Sequence, residues 1–316
     1  MPFTYEFPSF SVLERLMAPM ATAEDAVARL DERLRRSPLA EGLNARLAFG
    51  EACAIHLAEG ELVHLEDLVL FDAGAYAGCV STELSSAWQT LRTWRGAQRG
   101  DAAGLLRASA PADPEAQAIA PERRPGLLYD PDWDEPGRLA AWRDALDQSK
   151  RLPPVLAAAI AWDAWLVLQP EQRGAWRAPL IAALLLKARA KTTSLLLPIA
   201  TGQRASKYRR HPAHRAGERL AGFLQWTIAA AERAGKELDA LLLADTLLRP
   251  KLARTRRNSR LGALVSLLLS RPLLSAPMAA RALGVSRQAV HGMLRELGSP
   301  VRELSGRRRY RVWGIV

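Results

Sequence analysis

Near the carboxyl end of this 316-residue chain, Ser286, Arg287, Gln288, His291 and Arg295 fall at spacings that place them on one side of a helix. These are side chains that read or hold nucleic acid. Arginine pairs with guanine and glutamine with adenine in the major groove. Ser286 suits a helix cap whose free amides would meet a phosphate. Arg307, Arg308, Arg309 and Arg311 follow in VRELSGRRRYRVWGIV. Cations there would hold phosphates or enter the minor groove. For each helix residue the alternatives are a phosphate contact or plain solvent.

Such residues need elements to aim them. Leu261, Leu264, Val265 and Leu268 make one amphipathic helix, and Pro272 ends it. Ser275 caps a second, with Pro277 in its first turn, running to Leu283. Gly284 suits a tight turn through positive φ, and Ser286 then caps a third helix over 287–297. Leu283, Val285, Val290, Met293 or Leu294, and Leu297 fill the interior. Val301 and Leu304 alternate against Tyr310, Val312 and Ile315 across a turn at Ser305-Gly306, which reads as a β-hairpin. The whole is a winged helix-turn-helix, with its third helix in the major groove of double-stranded DNA. A winged helix that binds protein is the alternative.

Charge is divided in the same direction. The chain carries 44 Lys+Arg and 33 Asp+Glu, a net +11. Residues 1–150 hold 15 Lys+Arg and 24 Asp+Glu, net −9; residues 151–316 hold 29 and 9, net +20. A basic half points to an anionic partner, most often nucleic acid. Arg254, Arg256, Arg257 and Arg260 would extend the footprint or form a solvated linker. With 49% hydrophobic residues, disorder is excluded. No apolar run of about 20 residues appears, so no membrane partner is expected. The start lacks a basic stretch before an apolar one, so no secretory signal is expected. Two cysteines, Cys53 and Cys79, exclude a disulfide scaffold and a four-cysteine zinc site. The expected location is cytoplasmic, on the nucleoid.

Upstream the reading is helical throughout. Residues 1–20 look like a docking arm. Thr22 would cap a helix with Ala26, Val27, Leu30 and Leu34 inward, and a second helix fits Leu39 to Leu57, with Leu43, Leu47, Cys53 and Leu57 inward. A third covers 62–71, a short strand being the alternative, and a fourth covers 81–96. Five prolines between Pro111 and Pro131, then Pro136, mark a surface linker. Residues 153–168 are apolar almost all round, as in a buried central helix, and Leu180–Ala190 is similar. One or two long helices span 214–247. The expected division is therefore an acidic helical region 1–107, a Pro-rich linker 108–137, a helical core 138–250 and a winged helix 251–316.

Other constellations favour no catalyst and no metal. His211 and His214, weighed with His56 or His64, sit in RRHPAHR, where nearby cations disfavour a metal and favour an anion-binding surface. Glu66, Asp67 and Asp72 read as a solvated helix face, and Asp130, Asp132, Asp134 and Glu135 lack the glycine and distal glutamate of a calcium loop. Trp162, Trp165 and Trp176 read as packing. No cofactor is expected.

Two resemblances add to this. The stretch EACAIHLAEGELVHLEDLVLFDAG with the terminal helix-turn-helix is similar to a family of bacterial proteins, often plasmid-borne in plant-associated bacteria. Its members pair an amino-terminal domain of unknown function with a carboxyl-terminal helix-turn-helix. The segment LPPVLAAAIAWDAWLVLQPEQRGAWRAPLIAALLL also resembles the Fic family, whose loop HPFxDGNGRxxR lies between two apolar helices. Pro170, Gly174 and Arg177 match that loop; Gln169 stands at the catalytic histidine, Arg173 at the metal-binding aspartate and Ala175 at the asparagine. Glu59-Gly60 is similar to the Glu-Gly pair of the family's inhibitory helix, with Ile55 in place of its Ser/Thr. Glutamine cannot act as a base. The resemblance thus implies an inactive loop, with Gln169, Gly174 and Arg177 as an anion- or nucleotide-binding remnant.

The expectation is a mainly α protein, a degenerate Fic-like helical body followed by a carboxyl-terminal winged helix-turn-helix. It would act as a homodimeric, sequence-specific transcriptional regulator, with a small-molecule effector on its body. The alternatives are a Fic-like AMP transferase with an altered site, and a plasmid replication or partition factor.

Overall fold

A computed structural model describes residues 3–102, 130–211, 213–253, 259–304 and 311–315. Twelve helices occur among them: α1 (Phe10–Arg35), α2 (Ala40–Ala58), α3 (Leu65–Asp72), α4 (Thr82–Arg99), α5 (Glu135–Gln148), α6 (Pro154–Leu168), α7 (Ala178–Ala188), α8 (Ile199–Ala205), α9 (Ala216–Ala253), α10 (Leu261–Ser270), α11 (Ala276–Leu283) and α12 (Arg287–Leu297). Three short strands join them: β1 (Leu274–Ser275), β2 (Val301–Glu303) and β3 (Val312–Ile315).

The expected mainly α fold is present. α6 is buried from Val155 to Trp165 on every side, as its apolar sequence requires. Around it pack α1, α5, α7 and α9. Trp142 donates to the Ala161 carbonyl at 3.0 Å, and its ring meets Trp165 edge-on at 5.2 Å. α8 crosses α9 so closely that a β-carbon at Gly202 would collide with the Trp226 carbonyl.

Three expectations of the body are corrected. Residues 10–20 are not an arm: α1 begins at Phe10 and continues through Pro19. Thr22 is therefore no cap, and its hydroxyl donates to the Ala18 carbonyl. Burial of Leu16, Met20, Ala23 and Val27 offsets the amide that Pro19 removes. Leu57 is exposed, because it lies in the last turn of α2, past the edge of the core. Of the one or two helices expected over 214–247, one forms; it begins at Ala216 and continues past Pro250 to Ala253. Much of the Pro-rich stretch, residues 103–129, lies outside the described residues. Beyond it, Asp134 caps α5 by accepting from the Gly137 amide at 2.9 Å.

Carboxylates of the first helices bind amides of the second half. Glu24 accepts from the Val155 amide at 2.7 Å, at the start of α6. Asp31 accepts from the amides of Thr193 and Ser194 at 2.9 and 2.8 Å. Glu51, wholly buried, accepts from those of Ala200 and Thr201 at 2.7 and 2.8 Å, in the first turn of α8.

Burial pushes the Glu51 carboxyl up to about 7, more than the two amides pull it down. With the folded pKa above the unfolded one, the native state holds the extra proton. Stability should therefore fall as pH rises from about 4.5 to about 7, by on the order of 3 kcal/mol from this group. The slope of unfolding free energy against pH across that window should be shallower in Glu51→Gln. Equal slopes would assign the pH dependence elsewhere.

Candidate nucleic-acid interface

The carboxyl-terminal helices take up the expected turn by the expected signals. The Ser275 hydroxyl accepts from the Met278 amide at 3.4 Å and caps α11. Gly284 sits at φ +66° and ends it, with the Val285 amide returning to the Ala280 carbonyl at 3.0 Å. The Ser286 hydroxyl then accepts from the Ala289 amide at 3.1 Å and caps α12. Val290, Leu294 and Leu297 are buried, so Leu294 rather than Met293 fills the deeper interior position.

β3 lies between β1 and β2, antiparallel to both, with Val301 opposite Ile315 and Leu274 opposite Trp313. β1 is an extra strand beyond the expected hairpin. Leu304 is exposed rather than inward, because it lies just beyond β2, where the inward alternation ends. The turn at Ser305-Gly306, with Arg307, Arg308, Arg309 and Tyr310, lies outside the described residues, as do Arg254, Arg256 and Arg257. Arg260 is exposed at the start of α10.

The predicted contact residues share one surface. Arg287, Gln288, His291 and Arg295 are all exposed, beside the buried stripe of α12 and within an arc of about 100°. No acid interrupts residues 287–295. The His291 ring leans edge-on against Trp313 at 5.3 Å, and the Arg295 Nε reaches the His291 carbonyl at 3.3 Å. Arg311 pairs with Glu303 at 3.5 Å across the strands.

Three cations fasten this unit to the body by the carboxyl ends of helices. Arg46, buried on α2, donates through Nη1 to the carbonyls of Leu268 and Arg271 at 3.3 and 2.6 Å, and through Nε to Glu237 at 2.8 Å. Arg281 of α11 donates to the Ala73 and Gly74 carbonyls beyond α3, both at 3.0 Å. Lys251 of α9 bonds the Leu297 carbonyl, and that of Ser299 at 3.1 Å, where α12 ends. Helix carboxyl ends carry free carbonyls and partial negative charge, which cations match. None of these pairings was predicted, since the partners are far apart in sequence.

The loop between α6 and α7 borders a cleft of about 260 Å³ lined by Trp133, Trp165, Gln169, Glu171, Arg173 and Gly174, among others. Gln169 and Arg173 adopt left-handed backbone, φ 47° and 63°. Trp165 donates to the Gly174 carbonyl at 2.7 Å and Trp133 to that of Pro170 at 3.2 Å. Arg177 pairs with Glu171 at 3.0 Å. Burial holds the Glu171 carboxyl above its usual range, against the pull of Arg177. These residues do not fit a magnesium–nucleotide group: the loop has an amide and a guanidinium where a base and a carboxylate are needed, and its one carboxylate already faces Arg177.

His56 is buried, with Nδ1 2.9 Å from Glu61 and Nε2 3.0 Å from the Thr90 hydroxyl. The ligand atoms of His56, Glu59 and Glu61 lie within 4.8 Å of one another. Sequence reasoning missed that grouping, although both His56 nitrogens are engaged within it and with Thr90. No described helix is long and apolar enough to cross a membrane.

Comparisons with known proteins agree with this geometry. Residues 127–253 match the family described as "Protein of unknown function (DUF1612)", and residues 261–316 match the family described as "HTH DNA binding domain". The chain is 34% identical to "Uncharacterized protein y4cF" of Sinorhizobium fredii, across 95% of this chain and 97% of that protein. Its fold resembles a crystal structure of a Fic family protein from Desulfovibrio desulfuricans G20, at 16% identity and a TM-score of 0.51, covering 99% and 98% of the two chains.

Arg46 is the most heavily used of the three fastenings. Arg46→Ala should destabilise the protein by about 2–3 kcal/mol, the scale of hydrogen bonds to a charged group. Thermal unfolding would register this, and an unchanged midpoint would show the joint to be held by apolar contacts alone.

Proposed function

This chain belongs to the family of the Sinorhizobium fredii protein y4cF, and from that premise we propose that it is a sequence-specific DNA-binding transcriptional regulator. The observation that carries the reading is the exposed, acid-free face of α12 formed by Arg287, Gln288, His291 and Arg295. The adjoining face is buried, so α12 presents these side chains to a groove while the three-stranded sheet stands beside it. Arg287 and Gln288, at the amino end, address base edges, and Arg295 a phosphate. Ser286 uses its hydroxyl as the cap and leaves the first amides of α12 to a phosphate. Arg307, Arg308, Arg309 and Arg311 follow the backbone or the minor groove beside it.

A single winged helix reads only a short half-site, so the working form is a homodimer on a two-fold operator. The body carries no catalysis in this reading. Gln169 cannot take a proton from a target hydroxyl, and Arg173 would repel a magnesium ion. The cleft beside that loop instead receives a small-molecule effector, its orientation set by Gln169, Gly174 and the Glu171–Arg177 pair. The division into a body of two helical regions, 1–107 and 138–250, and a DNA-binding unit, 251–316, belongs to this reading, as does a location on the nucleoid.

The test is DNA pull-down from the genome with sequencing, followed by anisotropy titrations on the recovered site. Recovery at a promoter supports regulation, and recovery at an origin would replace it with replication control. Arg287→Ala should cost about 1–3 kcal/mol of specific affinity and relax one base position. Removal of residues 259–316 should abolish binding. A truncated body that bound the same site equally well would overturn the reading.

A further inference from the structure

Asp163 organises a second basic cluster, independent of the DNA-binding reading. It is fully buried on α6, and its oxygens receive Arg219 Nε at 2.6 Å, Arg219 Nη2 at 2.8 Å and the Tyr5 hydroxyl at 2.9 Å. One carboxylate is thereby matched to one guanidinium. Yet a second guanidinium, Arg210, stands 3.8 Å from the same Oδ1. Its Nε is shut off from solvent and has no hydrogen-bond partner. Its guanidinium lies over the Trp162 ring at 5.7 Å. Burial weakens its hold on the proton, against the pull of Asp163. Two partly buried cations share one anion, which leaves a positive charge unmatched where desolvation is costly.

The neighbouring side chains are arranged as donors. His214 Nδ1 accepts the His211 amide at 3.2 Å and lies 2.9 Å from the Tyr208 hydroxyl. His211 Nδ1 accepts the Ala213 amide at 3.2 Å. With Nδ1 of each ring accepting an amide hydrogen, Nε2 is the ring nitrogen left to donate. The two rings lie 5.8 Å apart. Arg209 is occupied with the Gln203, Ser206 and Tyr208 carbonyls and serves the loop. Lys207 and Arg215 are exposed. Residues 203–217 contain no acid, and Glu218 turns its carboxylate to the Arg215 amide at 2.8 Å.

We infer that this cluster is a binding site for the phosphate group of a small phosphorylated molecule, held by Arg210, Arg215 and the Nε2–H groups of His211 and His214. A phosphate offers several charged acceptor oxygens at tetrahedral angles, which suits donors converging from a loop and pairs well with guanidinium. The DNA backbone offers the same chemistry, but α9 separates the cluster from the winged helix. The helix runs from Ala216 to Lys251, where its lysine grips the end of α12. That is about 50 Å of axis, on the order of fifteen base pairs, beyond a winged helix's half-site.

Titration calorimetry of the full chain with inorganic pyrophosphate, in chloride buffer, tests this. Saturable one-site binding is expected. Arg210→Ala should weaken it about tenfold or more, and Arg215→Ala should weaken it severalfold without changing the unfolding temperature. Arg249→Ala, at the far end of α9, should leave it unchanged. Because Arg210→Ala removes an unmatched charge, the ligand-free variant should unfold at the same or a higher temperature than the wild type. Three results would overturn the inference: no saturable binding at millimolar pyrophosphate, equal affinity in all variants, or an Arg210→Ala protein less stable than wild type. So would displacement of pyrophosphate by random duplex DNA, with a matching loss of nonspecific DNA affinity in Arg210→Ala, which would assign the cluster to the DNA backbone.

Discussion

The seating of the carboxyl-terminal unit on the body centres on one buried guanidinium. Arg46 reaches Glu237 on α9 and the carbonyls of Leu268 and Arg271 at the end of α10, so three elements meet on one side chain. Around it the contact is close: a β-carbon at Gly42 would lie 3.1 Å from the Leu269 carbonyl. Arg281 and Lys251 repeat the device at the ends of α3 and α12. Each cation satisfies carbonyls that have no partner within their helix, so the fastening removes a cost that helix ends otherwise carry. The buried residues of body and winged helix also form a single apolar cluster, from Tyr5 to Ile315. α12 is thus held in a fixed attitude to the body.

What could be read from the sequence was what local chemistry decides. Ser275, Gly284 and Ser286 mark the helix ends of the winged helix through their own backbone needs, and all three act as expected. The all-apolar α6 was legible because a helix without a polar face must be buried. The face of α12 was legible because exposure follows from the period of its buried residues. The failures are equally physical. Pro19 and Thr22 signal a helix start, but the stripe from Leu16 to Val27 packs on α9 and overrides them. β1 is two residues long and exists only because β3 pairs with it. The pairings of Arg46 with Glu237, 191 residues apart, and of Asp163 with Arg219, 56 apart, leave no periodic trace.

The loop after α6 takes its shape from main-chain contacts. Its backbone is held by Trp165 at the Gly174 carbonyl, Trp133 at Pro170 and Arg138 at Leu168, at 2.7, 3.2 and 2.8 Å. Those bonds use the main-chain oxygens of Gly174, Pro170 and Leu168, not the side chains at 169, 173 or 175. The loop shape is therefore uncoupled from the identities of Gln169, Arg173 and Ala175.

The division of charge has a structural reading beside the functional one. Acids of the first half, Glu24, Asp31 and Glu51, point inward and bind the amides of Val155, Thr193, Ser194, Ala200 and Thr201 in the second half. In the case of α6 and α8 these are first-turn amides, where a carboxylate also meets the positive end of the helix. Part of the −9 thus serves to join the halves rather than to repel DNA. The +20 divides in the same way: Arg219, Lys251 and Arg281 are consumed by carboxylates and carbonyls of the fold. Among the described cations left exposed are those on α12 and those of the loop next to Arg210. Net charge by segment located the basic half, but only the pairing of each cation separates those that hold the protein together from those left to bind.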